Sequence, residues 1–187
     1  HRGSGQALEG RAVLATHDRT QDLLTVWSAT QSPHSIKRML VDVLGLDEHQ
    51  LRVIAPDVGG GFGPKGMFYA EEAVVPACAM LLGRPVKWTE DRWEHFVCAT
   101  QERDQYWEVE IAVDRQGKIL GLRGSMIHDT GAYLPWGMIM PYIAATTVPG
   151  PYVVPSFRME VAVALTNKTP TTPVRGAGRP QAVFAME

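Results

Sequence analysis

The segment Pro56–Gly66, PDVGGGFGPKG, constrains this chain more than any other stretch. Gly59, Gly60, Gly61 and Gly63 crowd together directly after the apolar run Leu51–Ala55. Without Cβ atoms the backbone can take φ > 0 and bring its N–H groups close to a ligand, which suits anions and oxo groups. No helix or strand interior tolerates this composition, so a strand must deliver an irregular loop to a surface. From these residues alone, a tight strand-to-helix connection without any ligand remains the competing reading.

Gly61-x-Gly63-x-x-Gly66 also fits the dinucleotide fingerprint in form, with Glu90 as the acidic residue further on. Pro64 weakens that fit, because the loop should open a helix whose N-terminus holds the pyrophosphate, and the helical pattern starts only near Ala70. A phosphate loop of the Walker type fails, since Lys65 stands between Pro64 and Gly66. A kinase glycine loop fails as well, with Met67 where valine is needed.

Around the loop the pattern is mixed. Arg11–Thr16 and Leu23–Ser28 read as strands. Ser32 as N-cap, Pro33 at N1, the apolar set Ile36, Met39, Leu40, Val43 and Leu44, and Gly45 mark a helix. Ala70–Leu82 reads as a second helix, stopped by Gly83, with Glu71 and Glu72 in its first turn. Pro85–Thr89 is a strand, Glu90–His95 a polar turn or short helix, and Gln105–Val113 with Lys118–Ile127 a hairpin across Asp114–Gly117. Gly131–Pro155, with Tyr133, Trp136, Tyr142 and Tyr152, predicts a short helix between packed loops, and Val161–Leu165 a last strand. Thr169–Arg179 (TPTTPVRGAGR) is too irregular for an element interior, and Ala182–Glu187 is the start of a helix. The expected architecture is α+β, a mixed α/β fold without a regular βαβ rhythm.

Charge and length exclude some partners. With 18 Lys+Arg against 20 Asp+Glu, a net charge of −2 supplies no basic face for nucleic acid. Leu134–Val148, the longest apolar candidate, is broken by Pro135, Gly137 and Pro141 and falls short of the roughly 20 residues of a membrane span. Cys78 and Cys98 match neither metal spacing nor a redox pair and are expected to be buried, reduced thiols. His34, His95 and His128 lack ligand spacing and are expected to be polar packing residues.

Several short motifs occur in a fixed order: Trp27–His34 (WSATQSPH), Asp57–Lys65 (DVGGGFGPK), Leu82–Trp88 (LGRPVKW), Asp129–Tyr133 (DTGAY), then Thr166–Lys168 (TNK) with Arg175–Gln181 (RGAGRPQ). This series resembles the molybdenum-cofactor-binding large subunit of the xanthine dehydrogenase, aldehyde oxidase and aerobic carbon monoxide dehydrogenase family. The resemblance spans practically the whole chain. It implies a molybdopterin-binding domain that is a piece of a longer subunit, residues 1–187 forming the N-terminal part of the cofactor-binding region. It implies molybdenum-molybdopterin, with the cytosine dinucleotide as one form, and iron–sulfur clusters and FAD on partner subunits or domains. The implied reaction oxidises a small-molecule substrate with oxygen from water, and the protein contributes binding, orientation and electrostatics. The implied location is cytoplasmic, with export to the periplasm as the alternative.

By the same resemblance, Gln31 matches the glutamine that donates to a molybdenum-bound oxo group. Gly60, Gly61, Phe62 and Gly63 match the loop whose amides face the cofactor, with Phe62 packing against the site. Arg175 matches an arginine that reaches into the substrate pocket, and Gly176, Gly178 and Gln181 complete its loop. No protein ligand to the metal is implied. Gly66 stands where xanthine oxidisers carry a glutamate, and Val174 and Gly176 flank Arg175 where carbon monoxide oxidisers place a copper-binding cysteine. An aldehyde or N-heteroaromatic is therefore the expected substrate class. The catalytic glutamate is expected downstream of Glu187, which would leave this piece inactive alone, while Glu71, Glu72, Glu90, Glu94 and Glu102 are expected to be solvated or ion-paired. The competing functions are a non-catalytic interaction domain of the same fold and an NAD- or FAD-binding oxidoreductase using Gly61–Gly66.

Overall fold

The computed structural model describes residues 2–136 and 138–187. His1 and Gly137, the latter among the breakers of the Leu134–Val148 run, lie outside the described residues. In chain order the elements are β1 (Gly3–Ser4), β2 (Ala12–Asp18), β3 (Leu23–Ser28), α1 (Pro33–Leu44), β4 (Leu51–Ile54), α2 (Ala70–Leu82), β5 (Val86–Thr89), α3 (Arg92–Cys98), β6 (Gln101–Glu102), β7 (Gln105–Val113), β8 (Ile119–Gly131), α4 (Ile139–Thr146), β9 (Phe157–Leu165) and α5 (Arg179–Met186). The architecture is α+β. The chain forms two compact units, Gly5–Ala99 and residues 2–4 with Thr100–Glu187.

In the Gly5–Ala99 unit the sheet runs β4-β3-β2-β5. β2 is antiparallel to β3 and β5, whereas β3 and β4 are parallel and joined through α1. Alternate residues Val13 and Ala15 of β2, and Leu24 and Val26 of β3, face one side, where they meet Ile36 and Leu40 of α1 and Val75 and Ala79 of α2. α1 stops at Gly45, whose φ of 65° is left-handed and whose N–H donates to the Val41 carbonyl. Ser32 precedes α1 but its hydroxyl does not cap it: at ψ 61° it lies outside the extended conformation from which a hydroxyl reaches the first turn. Glu90–His95 resolves into a polar turn followed by α3, which is capped by Asp91 and Glu94.

The second unit is built on the sheet β7-β8-β9, with the small pair β1-β6 beside it in sequence. The hairpin β7–β8 closes at Asp114, whose carboxylate accepts the amides of Gln116 and Lys118. β8 and β9 are parallel, connected through α4. Leu122 of β8 packs with Val148 and with Ala182 of α5, and Met126 of β8 with Ala144 and Ala145 of α4.

Four expectations need correction. β9 begins at Phe157, ahead of the predicted Val161, because Arg158 and Glu160 give its first residues a solvated face that masks the strand pattern. α5 begins at Arg179, with Pro180 in its first turn. Tyr133, Trp136, Tyr142 and Tyr152 are exposed, not packed, because their side chains lie on loops and on the outer side of α4. Cys98 is exposed and Cys78 half-buried, both unpaired in any disulfide. Cys98 sits on the outer side of a short helix whose buried residue is His95. No helix among the described residues is long and apolar enough to cross a membrane.

Candidate cofactor-binding site

β4 ends at Ile54 and releases the glycine loop, which turns back through a 3-10 turn at Pro64–Gly66 toward the junction of β3 and α1. Gln31 stands at that junction, exposed to solvent. The Gly63 N–H donates to Gln31 Oε1 at 3.0 Å, and the Gln31 N–H donates to the Lys65 carbonyl at 3.0 Å. Because an amide N–H can only donate, the first bond fixes the oxygen of Gln31 against Gly63 and makes its NH2, which lies on the Gly66 side, the donor end of the side chain.

The close approach explains the glycines better than flexibility does. A Cβ at Gly61 would lie 2.3 Å from Gln31 Oε1, and one at Gly60 would lie 2.7 Å from the Phe62 ring. Phe62 itself has φ 56°, so its ring folds back over Gly60, and it remains 43% exposed. Gly66 also faces Gln31: a Cβ there would be 3.3 Å from Gln31 Nε2.

Sequence reasoning missed the supports of this loop. The Thr30 hydroxyl donates to the Lys65 carbonyl at 2.9 Å. The Lys65 side chain, 2% exposed, donates to Glu9 Oε2 at 2.6 Å, and the Gly59 N–H donates to the same oxygen at 2.8 Å. The Lys65 ammonium, followed by the Gly59 amide, holds the Glu9 carboxyl below its ordinary pKa, against the opposing effect of burial. No local sequence signal marks these partners, since Glu9 and Lys65 are far apart in the chain.

Arg175, Gly176 and Gly178 lie in the other unit and are described there. Gly176, Ala177 and Gly178 take left-handed φ of 103°, 50° and 92° in succession, forming a turn that runs into α5. Gly178 presses on α4, where a Cβ would meet the Ala144 nitrogen at 2.9 Å. Arg175 is exposed, and its carbonyl accepts from Arg103 Nη2 at 3.1 Å. Beneath the turn Glu102 is fully buried and accepts from Arg103 Nη1 at 2.7 Å. Burial pushes its pKa up, and Arg103, the Gly178 and Val174 amides and Gln181 offset that only in part.

The other carboxylates divide by environment. Glu72 is buried, accepting from Ser28 Oγ at 2.8 Å and from the Tyr69 N–H at 3.0 Å, and burial raises its pKa. Buried, and in no ion pair among the described residues, it corrects the expectation, because it caps α2 from inside. Glu90 is buried against Arg11, with Arg11 Nε donating to Oε1 at 2.8 Å; burial raises its pKa, but the Arg11 amide and guanidinium outweigh this and leave it lowered. His95 and His128 are buried packing histidines, whereas His34 is exposed on the first turn of α1, so the packing expectation fails there. Asp129 and Thr166, from two of the sequence motifs, meet directly at 2.7 Å, and Lys168 Nζ pairs with Asp129 at 2.7 Å. Burial would raise the Asp129 pKa, but Lys168, Thr166 and the Gly131 amide hold it far below the ordinary range.

A backbone loop of glycines closed on one oriented neutral amide is the geometry of a wall for a bound group, here in a cofactor-binding domain. The family described as molybdopterin cofactor-binding domain matches residues 1–187, and the chain belongs to it. It is 37% identical over 188 residues to the 6-hydroxypseudooxynicotine dehydrogenase complex subunit gamma of Paenarthrobacter nicotinovorans, covering 100% of this chain and 24% of that protein. Similarity to the nicotine 6-hydroxylase large subunit of the same organism is 37% over 184 residues, or 96% of this chain and 22% of the relative. The solved quinoline 2-oxidoreductase of Pseudomonas putida 86 superposes with a TM-score of 0.90 at 38% identity, covering 95% of this chain and 23% of that one. The chain thus spans about a quarter of the length of these relatives. Family membership, together with a helix that starts at Ala70 instead of at the loop, sets aside the dinucleotide reading.

Proposed function

We propose that this chain supplies part of the molybdopterin site in the large subunit of a molybdenum hydroxylase, and that the whole protein oxidises an N-heteroaromatic or aldehyde substrate with water-derived oxygen. The observation that carries the reading is the Gly63 N–H to Gln31 Oε1 bond, which presents the Gln31 NH2 as a fixed, uncharged donor. The residues fit the group: Gly60 and Gly61 let the loop close onto Phe62 and Gln31, and the neutral amide so held is a donor suited to an oxo-type acceptor. When bound, the cofactor supplies the two-electron oxidation of the substrate carbon. The chain's share is to wall the cofactor with the backbone of Gly60, Gly61, Phe62 and Gly63, whose shape is held by the Gly60 N–H on the Val58 carbonyl and the Gly63 N–H on Gln31 Oε1, to orient it with Gln31, and to pack Phe62 against it.

Arg175, carried on the strained Gly176–Gly178 turn, would present a cation to the substrate. Gly66 supports an N-heteroaromatic other than a purine, because it carries no carboxylate at the position against Gln31 where xanthine oxidisers are expected to place a glutamate. The nicotine and quinoline chemistry in the relatives' names points the same way. Iron–sulfur and flavin subunits or domains, the rest of the large subunit and a cytoplasmic location belong to the same proposal, as does the cytosine dinucleotide form of the cofactor.

The test compares the complete large subunit, expressed with its partners, with the 187-residue chain. The complete protein should bind molybdenum stoichiometrically and reduce a dye with a pyridine or quinoline substrate, with mass spectrometry of the released cofactor identifying its nucleotide. Stoichiometric metal and turnover in the short chain alone, or dye reduction only with xanthine, would sink the proposal.

A further inference from the structure

We propose that Lys65 and Glu9 are positioning residues for the cofactor loop: one carboxylate oxygen staples the loop's entry at Gly59 to its exit at Lys65. The inference rests on the reading of that loop as a cofactor wall. Glu9 Oε2 accepts from the Gly59 N–H at 2.8 Å and from Lys65 Nζ at 2.6 Å, while the Glu9 N–H donates to the Gly59 carbonyl at 3.4 Å. The fit needs glycine, because a Cβ at Gly59 would lie 2.6 Å from Glu9 Cβ.

Lys65 works in two directions. Its side chain, 2% exposed, holds Glu9, while its carbonyl accepts the Gln31 N–H at 3.0 Å and the Thr30 hydroxyl at 2.9 Å. The donor expected to face the cofactor and the glycine cradle therefore both hang on one residue. A buried ammonium with a single carboxylate is a poor device for stability alone, since its desolvation consumes much of the attraction. What such a pair supplies is geometry: a defined width for the loop mouth between Gly59 and Gly63, set from below.

The experiment uses the complete subunit with Lys65→Met, Glu9→Gln and, as a control, the core variant Leu40→Ala, whose site is fully buried under the sheet and away from the loop. Two quantities are read at matched loss of thermal stability: amide exchange of residues 59–63 and molybdenum retained after gel filtration. Lys65→Met should speed exchange at Gly59 and Gly63 roughly tenfold or more, as loss of a hydrogen-bonded anchor to a charged group implies, and should lower molybdenum retention. Glu9→Gln, which keeps an acceptor for the Gly59 amide, should fall between it and wild type. Leu40→Ala should lose stability with neither change. If Lys65→Met and Glu9→Gln behave like Leu40→Ala in both readouts, the staple is merely structural and the inference falls alone. If the wild-type loop amides exchange equally with and without molybdopterin, the cofactor-wall reading falls and takes the inference with it.

Discussion

At the scale of single residues, the glycine loop is a packing problem as much as a conformational one. Gly60 and Gly63 carry φ of 90° and 114°, where only glycine is comfortable, but Gly61 is required for a different reason: its Cβ would occupy the place of Gln31 Oε1. Because Gln31 is exposed, Gly61→Ala should push it toward solvent rather than unfold the unit. The expected cost is the Gly63–Gln31 bond, about 1 kcal/mol in urea unfolding. Gln31→Ala added to Gly61→Ala should then cost almost nothing further, and both single variants should lose molybdenum retention to a similar degree. Fully additive stabilities in that double-mutant cycle would show that Gly61 does not act through Gln31.

Elements were legible where their signals are local. α2 runs from Ala70 to Leu82 as the periodicity implied, because Gly83 takes a left-handed φ of 62° and Glu72 caps the first turn. Strand partners were not legible: β3 pairs with β4, and β8 with β9, in parallel across intervening helices, and nothing in either sequence states its neighbour. The same holds for the ion pair that ties β2 to the end of β5. Arg11 lies 3.7 Å from the Tyr69 ring centre and 5.3 Å from that of Trp88, and it neutralises Glu90, whose side chain has no exposure. Arg11→Met would remove the guanidinium and leave that buried carboxylate only the residue-11 backbone N–H at 2.9 Å and His95 Nδ1 at 3.0 Å, at a cost of about 3 kcal/mol at neutral pH. In the wild type Glu90 has a lowered folded-state pKa, so its contribution is complete above the ordinary glutamate range and disappears as pH falls through the lowered value. Without the guanidinium much of that contribution is lost. The stability gap between wild type and Arg11→Met should therefore narrow steadily on acidification. A gap in urea unfolding that stays constant from neutral pH into the acid range would refute the assignment.

At the scale of the whole molecule, motif order conveyed the family and the location of the loops, but not what holds them. Gln31 meets Gly63 and lies against Gly61, whereas Glu9 and Arg103 stand outside any motif and bond to Lys65, the last residue of the glycine-loop motif, and to the Arg175 carbonyl, both distant in sequence. The near-neutral charge left the nature of the remaining surface open, and the structure describes it as unusually apolar in places. Trp136, Met138, Ile139 and Tyr142 are exposed in and before α4, as are Val183 and Phe184 on α5, the last at 88%. Large apolar side chains exposed in this number mark surface that covering polypeptide would shield, or that is prone to aggregate. In a chain that spans 24% of a relative's length, the covering material is proposed to be the rest of the subunit. The 187-residue chain by itself should therefore bind an apolar reporter dye and self-associate as its concentration rises, as followed by sedimentation velocity. Phe184→Ser with Met138→Ser should reduce both effects without shifting the urea midpoint, because neither side chain belongs to a buried cluster. A dye-silent monomer at every concentration would mean that this surface is complete as it stands, and would remove the argument that further polypeptide packs there.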